Sequence, residues 1–131
     1  MFSNRFKYTP TKKTLDNFPD FNKENEIKES LVAFIHAEEK DQDDMKSVEK
    51  KLVKLLKWAG KKNNTRKITL HSFAHLSESK ATPEWTKDLF DMAEKRLQNA
   101  DYETQQTPFG YFLDLDLQAP GYSAARIFKS F

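Results

Sequence analysis

Between Asp43 and Ala59 the apolar residues fall at Met45, Val48, Leu52, Leu55, Leu56 and Ala59, one stripe of a 3.6-residue period with lysines on the other face. Asp43 is placed to cap the first turn and Gly60 to take the left-handed position after the last, so the pattern predicts a helix marked at both ends. A second helix is predicted from Thr82-Pro83-Glu84. Thr82 caps it, Pro83 sits where a missing N–H costs nothing, and Glu84 suits the positive helix end. Trp85, Leu89, Met92, Ala93 and Leu97 make its buried stripe. The run LVAFIHA, 31–37, is almost continuously apolar, as a strand covered on both faces requires. ITLHSF, 68–73, and YFLDLDL, 111–117, alternate instead, so each should have one wet face. Residues 5–8 form a weaker strand candidate, and 14–30, with Pro19, Asn22 and Asn25, reads as a polar loop.

Strand, helix, strand, helix, strand predicts an α/β fold with crossover connections: a single compact domain over 1–131, with a mixed sheet and two main helices. An apolar content of 37% is low, enough for one core and little more, and 11 Phe, 4 Tyr and 2 Trp must supply much of it. The absence of cysteine excludes disulfides, thiolate metal ligation and a cysteine nucleophile. No apolar run approaches the ~18 residues of a membrane span, and the N-terminus has no secretory h-region, so a cytoplasmic location and no membrane partner are expected. A net charge of +2 from interleaved signs argues against an extensive duplex-binding surface but leaves contact with a nucleic-acid end open. The basic helical face (Lys50, Lys51, Lys54, Lys57, Lys61, Lys62) reads as a solvated face, with an RNA contact as the alternative.

His36, His71 and His75 are the only histidines, and their spacing gives no metal motif. His75 follows a predicted strand end, where α/β sheets place ligand-facing residues, although a bond to the loop backbone would account for it equally. Asp114 and Asp116 share one face of a strand. They could do acid–base work, but the wet side of an alternating strand, with Leu113, Leu115 and Leu117 inside, is the simpler reading. In Pro108-Phe109-Gly110-Tyr111, Gly110 permits close approach of a backbone or ligand and Tyr111 offers a stacking face; a tight turn into a strand would look the same. There is no nucleophile elbow, P-loop or metalloprotease motif.

Leu31-Val32-Ala33-Phe34-Ile35, Ser72-Phe73-Ala74-His75-Leu76-Ser77 followed by Pro83, and Pro108-Phe109-Gly110-Tyr111 together resemble the archaeal-type editing domain of threonyl-tRNA synthetase, in order and spacing, over 31–121. The resemblance implies the D-aminoacyl-tRNA deacylase fold, a homodimer, no cofactor, and hydrolysis of serine wrongly esterified to the terminal adenosine of threonine tRNA. Backbone groups would hold the aminoacyl moiety while a water attacks with help from the ribose 2′-hydroxyl. An activated ester needs mainly positioning and oxyanion stabilisation. Editing also answers a real difficulty, since one methyl separates serine from threonine and is worth only ~1–3 kcal/mol in one pocket. Carried over position by position, Val32 and Ala33 would line the aminoacyl pocket, and Ala74 and His75 would flank the ester and ribose. Pro108, Phe109 and Gly110, with Tyr111 and Phe112 beside them, would frame the adenosine. Ser3 takes the place of the serine in a His-Ser-Asp segment, and His75 is the catalytic candidate.

The chain also departs from that pattern. Phe112 and Leu113 replace a Tyr-Lys pair whose lysine contacts substrate, Phe2 and Asn4 flank Ser3, and Arg126 stands where a glutamate is expected. Lys7, Lys80 and Arg126 are candidates for the missing cation. Only Met1 precedes Phe2-Ser3-Asn4 where the family has a strand, so an open sheet edge or groove, or one filled by a partner chain, is expected. With no room for a synthetase body, the chain reads as a free-standing module clearing mischarged tRNA in trans to a synthetase. The alternative is an inactive module of the same fold that binds a tRNA end, an adenosine-like ligand or a protein.

Overall fold

The computed structural model describes residues 1–131. Its elements are β1 (Phe2–Lys13), β2 (Asn25–Ile35), α1 (Met45–Lys62), β3 (Lys67–Ser72), α2 (Pro83–Asn99), β4 (Glu103–Gln106) and β5 (Tyr111–Gln118), with short 3₁₀ turns at Glu39–Asp43 and Ser123–Ala125. They build a five-stranded mixed sheet in the order β4-β3-β2-β1-β5. β2, β3 and β4 run parallel, joined through α1 and α2, while β1 is antiparallel to both β2 and β5. The predicted α/β class and both helices are therefore present.

Both helices pack with one cluster of sheet residues. Leu52, Val53, Leu56 and Ala59 of α1 and Leu89, Phe90, Ala93 and Leu97 of α2 meet Phe2, Leu31, Ala33, Ile68 and Leu70. A second, smaller cluster joins Phe6, Tyr8, Ile27 and Val32, with Phe34, Leu113 and Leu117 packed against it. Phe2 and Phe6 lie an even number of residues apart and so do Leu31 and Ile27, yet each pair is divided between the two clusters. The ladder omits Asn4 and Glu29, and Glu29 has φ +56°, so the alternation of side chains is reset there on both strands.

Several boundaries differ from the sequence pattern. Asp44 caps α1 in place of Asp43, accepting from the Ser47 N–H at 3.1 Å. Gly60 stays helical, and its missing side chain makes room for the Thr65 carbonyl oxygen, which a Cβ would approach to 3.0 Å. The chain exits through Asn63, and Asn64 takes the left-handed conformation. In α2, Thr82 and Pro83 act as expected, but Phe90 and Thr86 are buried while Met92 is exposed and Trp85 only half-buried. The last six residues of the expected 14–30 loop are strand, since Ile27 is buried and β1 supplies a hydrogen-bonding neighbour. β4 was not foreseen, and Leu115 is exposed.

The first strand is formed from Phe2 onward and lies between β2 and β5, against the expectation of an edge left bare along it. A shorter stretch stays open. Val32 is closed by Met1 (Val32 N–H to Met1 O, 2.8 Å), but Ala33 to Ile35 have only β3 beside them.

A buried ion pair ties the helices together: Glu49 of α1 is 2% exposed and accepts from Arg96 Nε of α2 at 2.5 Å. Arg96→Ala would strand that carboxylate. Because Arg96 is itself half exposed, the expected loss is about 2 kcal/mol, below the ~3–5 of a fully buried pair. Urea unfolding of the two proteins at pH 7 measures it, and equal midpoints would refute it.

Candidate functional site

Three parallel neighbours leave the sheet at the same end, so the segments after β2, β3 and β4 are drawn together. Phe73 N–H donates to Ile35 O and Ala81 N–H to Ala37 O, both at 2.9 Å, while Thr107 N–H reaches Leu70 O at 3.0 Å. His36, just past β2, accepts from the Leu76 N–H at Nδ1 (3.1 Å), which leaves Nε2 to donate to Ser79 O (2.7 Å). Ser77 Oγ donates to Glu38 Oε1 at 2.7 Å, and the Glu39 N–H to Ser79 Oγ at 3.0 Å. The turn that carries His75 is thus laced to the end of β2.

The histidines have three different settings. His71, on β3, is buried between Phe6, Phe34 and Phe73 and bonded through Nδ1 to Thr107 Oγ1 at 2.9 Å. His36 has both ring nitrogens committed. His75 is exposed, its ring 4.7 Å from that of Phe73, and no protein hydrogen bond engages it. A free imidazole beside an aromatic, at the mouth of converging strands, is what a ligand-facing histidine needs.

Beside this turn, a cavity of about 890 Å³ lies between the end of β2, α1 and the last residues of the chain. Val32, Ala33, Leu52, Phe73 and Arg126 are among its mostly apolar lining. It takes in Val32 and Ala33 but not Ala74, His75 or the 108–112 segment. Pro108 and Phe109 are buried, and Phe109 packs against Phe18 and Phe90. Gly110, with φ +83°, holds the 14–24 loop: its carbonyl accepts from the Thr14 N–H (2.7 Å), and a Cβ would approach Leu15 Cβ to 3.1 Å. Tyr111 accepts from the Phe21 N–H at 2.9 Å.

A profile of the archaea-specific editing domain of threonyl-tRNA synthetase matches residues 1–131, the whole chain. The chain belongs to this editing-domain family. Threonine–tRNA ligases are among its relatives: that of Thermococcus kodakarensis is 28% identical over 98% of this chain, and that of Nitrosopumilus maritimus 29% over 94%. That of Methanococcus vannielii is 30% identical over 76%. The chain spans only 21%, 19% and 16% of these proteins, about a fifth of their length.

Within this editing-domain fold, the departures have definite positions. Leu113 packs against the second core cluster, and Phe112 is 59% exposed, so neither fills the cavity. Ser3 is fully buried, and its hydroxyl is directed to main-chain oxygens of Arg5 (2.5 Å) and Gln118 (3.1 Å). Of the candidate cations, Lys7 pairs with Glu24 at 3.4 Å, Lys80 is exposed, and Arg126 lines the cavity while donating to Pro120 O at 2.5 Å. Asp114 and Asp116 are exposed, and Asp116 accepts from Arg5 at 2.8 Å, which fits the wet-face reading. The sequence reading gave no role to His36, whose only signal was a polar residue near the end of the apolar run 31–37; the strand in fact stops just before it, at Ile35.

Burial lowers His71 from an ordinary 6.5 to about 4, with the charge of His75 adding to the effect. The unfolded chain therefore takes up the proton first. The stabilising contribution is complete above pH 6.5 and is lost as pH falls toward 4, up to about 3 kcal/mol in all. Wild type should lose about 2 kcal/mol more than His71→Asn between pH 7 and 4.5 in urea unfolding, and parallel losses would contradict a neutral buried His71.

Proposed function

We propose that this domain hydrolyses mischarged aminoacyl-tRNA, Ser-tRNA(Thr) first among substrates, at the ester on the terminal adenosine. The observation that supports the reading is the convergence of the segments after β2, β3 and β4, the turn carrying His75 among them, at one end of three parallel strands, beside a cavity that Val32 and Ala33 line. Such a crevice is where α/β sheets place ligands.

The chemistry asks little of side chains. Water adds to the ester carbonyl carbon, main-chain N–H groups near the strand ends stabilise the oxyanion, and the carbon–ribose oxygen bond breaks. The ribose oxygen takes up a proton, leaving free amino acid and intact tRNA. His75, with both nitrogens unengaged, holds the attacking water or the neighbouring ribose hydroxyl. Ala33, a small residue, suits a narrow aminoacyl site and Ala74 a close approach of the ester and ribose, while Phe109 and Gly110 shape the approach of the adenosine. Membership of the editing-domain family supports the 3′ end of tRNA as partner, a homodimer as the assembly, and action beside a synthetase whose errors are cleared.

One observation favours a second reading. Leu113 is tucked against an apolar cluster and offers no cation, which suits a module that binds the tRNA end without cleaving it.

Single-turnover deacylation of Ser-tRNA(Thr), beside Thr-tRNA(Thr) and a D-aminoacyl-tRNA, decides between them. Serine release is expected to exceed buffer hydrolysis and to fall about 100-fold in His75→Ala, the lower range for a lost proton-handling group. Selective loss of the D-aminoacyl ester would replace the substrate. No release by folded wild type, with tRNA still bound, would establish the binding module.

A further inference from the structure

α1 divides the molecule's charge unevenly. It holds seven lysines and one acid, Glu49, giving +6 on a chain whose total is +2, so everything outside the helix sums to −4. Glu49 is turned inward onto Arg96, and none of the seven lysines is in an ion pair. Lys46, Lys50, Lys54, Lys57 and Lys61 recur every three or four residues, a single stripe about 22 Å long.

Helix stability does not account for this stripe. Lys61 and Lys62 suit the negative end of the helix, but Lys46 lies in the first turn, which holds no acid and where the helix dipole disfavours a cation. Nor do acids at i−4 support the lysines, as in an ordinary salt-bridged exposed face. Among them stands Trp58, 47% exposed, with Lys62 Nζ 5.8 Å from its ring centroid. An unneutralised lysine row flanking an exposed indole is the composition of a surface for a polyanion with stackable or ribose-bearing groups.

The opposite face of α1 bears on the candidate site. Val48, Leu52, Leu55 and Leu56 line the cavity beside the end of β2. Only the thickness of one helix, about 10 Å, separates that cavity from the lysines. A ligand anchored by its end at the strand termini could lay its body along α1.

We infer that the lysine stripe and Trp58 of α1 are a docking surface for RNA, gripping the phosphate backbone of a tRNA acceptor stem independently of base sequence. This rests on the deacylase reading for the identity of the RNA, but its own evidence is the charge distribution of α1.

The test compares wild type with K50Q/K54Q/K57Q/K61Q, in which glutamine keeps helix propensity and circular dichroism verifies the fold. Binding of uncharged tRNA transcript is titrated across salt concentrations, and serine release is measured from Ser-tRNA(Thr) and from a seryl ester of a CCA trinucleotide. The variant should bind tRNA at least tenfold more weakly near ~100 mM salt, with the salt slope reduced by about 3 as phosphate contacts are lost. Release from the trinucleotide ester should be unchanged. Trp58→Ala alone should also weaken tRNA binding, by about threefold or more.

Equal affinities and slopes for wild type and variant would overturn the proposal. So would lysine-dependent binding of phosphatidylserine vesicles by a wild type that ignores RNA, which would assign the face to a membrane. Lysine-dependent tRNA binding without hydrolysis of either ester would sink the deacylase reading and leave the docking surface standing.

Discussion

Three neighbouring strands that run in one direction oblige the chain to leave the sheet three times at the same end. The parallel ladder of β2, β3 and β4 enforces this, with Leu70, Thr69 and Val32 wholly buried and Ile68 nearly so. Residues 36, 75 and 108 are far apart in sequence, but the crossovers through α1 and α2 leave them nowhere else to go. The candidate site is a consequence of topology before it is a matter of particular side chains, which is why it can be built largely from backbone.

Within that frame, surroundings make three histidines into three different groups. His71 has lost its water to aromatic neighbours and is held neutral. His36 is used up as a strut, one nitrogen accepting and the other donating to the same turn. His75 keeps both nitrogens free. A sequence shows three identical imidazoles, and burial and hydrogen bonding distribute the roles.

The parts legible in the sequence were those with a strong local signature. The Thr82-Pro83-Glu84 start of α2 carries its own capping chemistry, and the LVAFI run is apolar enough to mark an inner strand. ITLHS was legible as a strand, but its expected wet face is buried: Thr69 and His71 are covered because the second core lies over them. What escaped depended on distant partners. β4 is Glu-Thr-Gln-Gln, polar enough to pass for a loop, and is a strand because β3 lies beside it. Residues 25–30 looked like loop for the same reason. Gly60 was read as a helix exit, but its missing side chain makes room for the Thr65 carbonyl after the chain has turned. For the site, the sequence named the three strings; it could not show that Ser3 spends its hydroxyl inside the sheet, or that Leu113 faces a second core.

The reset at Asn4 and Glu29 makes β1 and β2 serve two masters. Ahead of it, Phe2 and Leu31 feed the core beneath the helices; beyond it, Phe6 and Ile27 feed the other. Because both strands are reset at one rung, the pairing register passes through unchanged. The two strands are therefore locked as a couple: a residue gained or lost at position 4 alone would turn every following side chain of β1 to the opposite core, while the partner strand kept its own phase. An insertion on one strand could survive only with a matching change on the other. Length variation in this hairpin should thus be confined to its 14–24 loop, and the rung itself is closed to it.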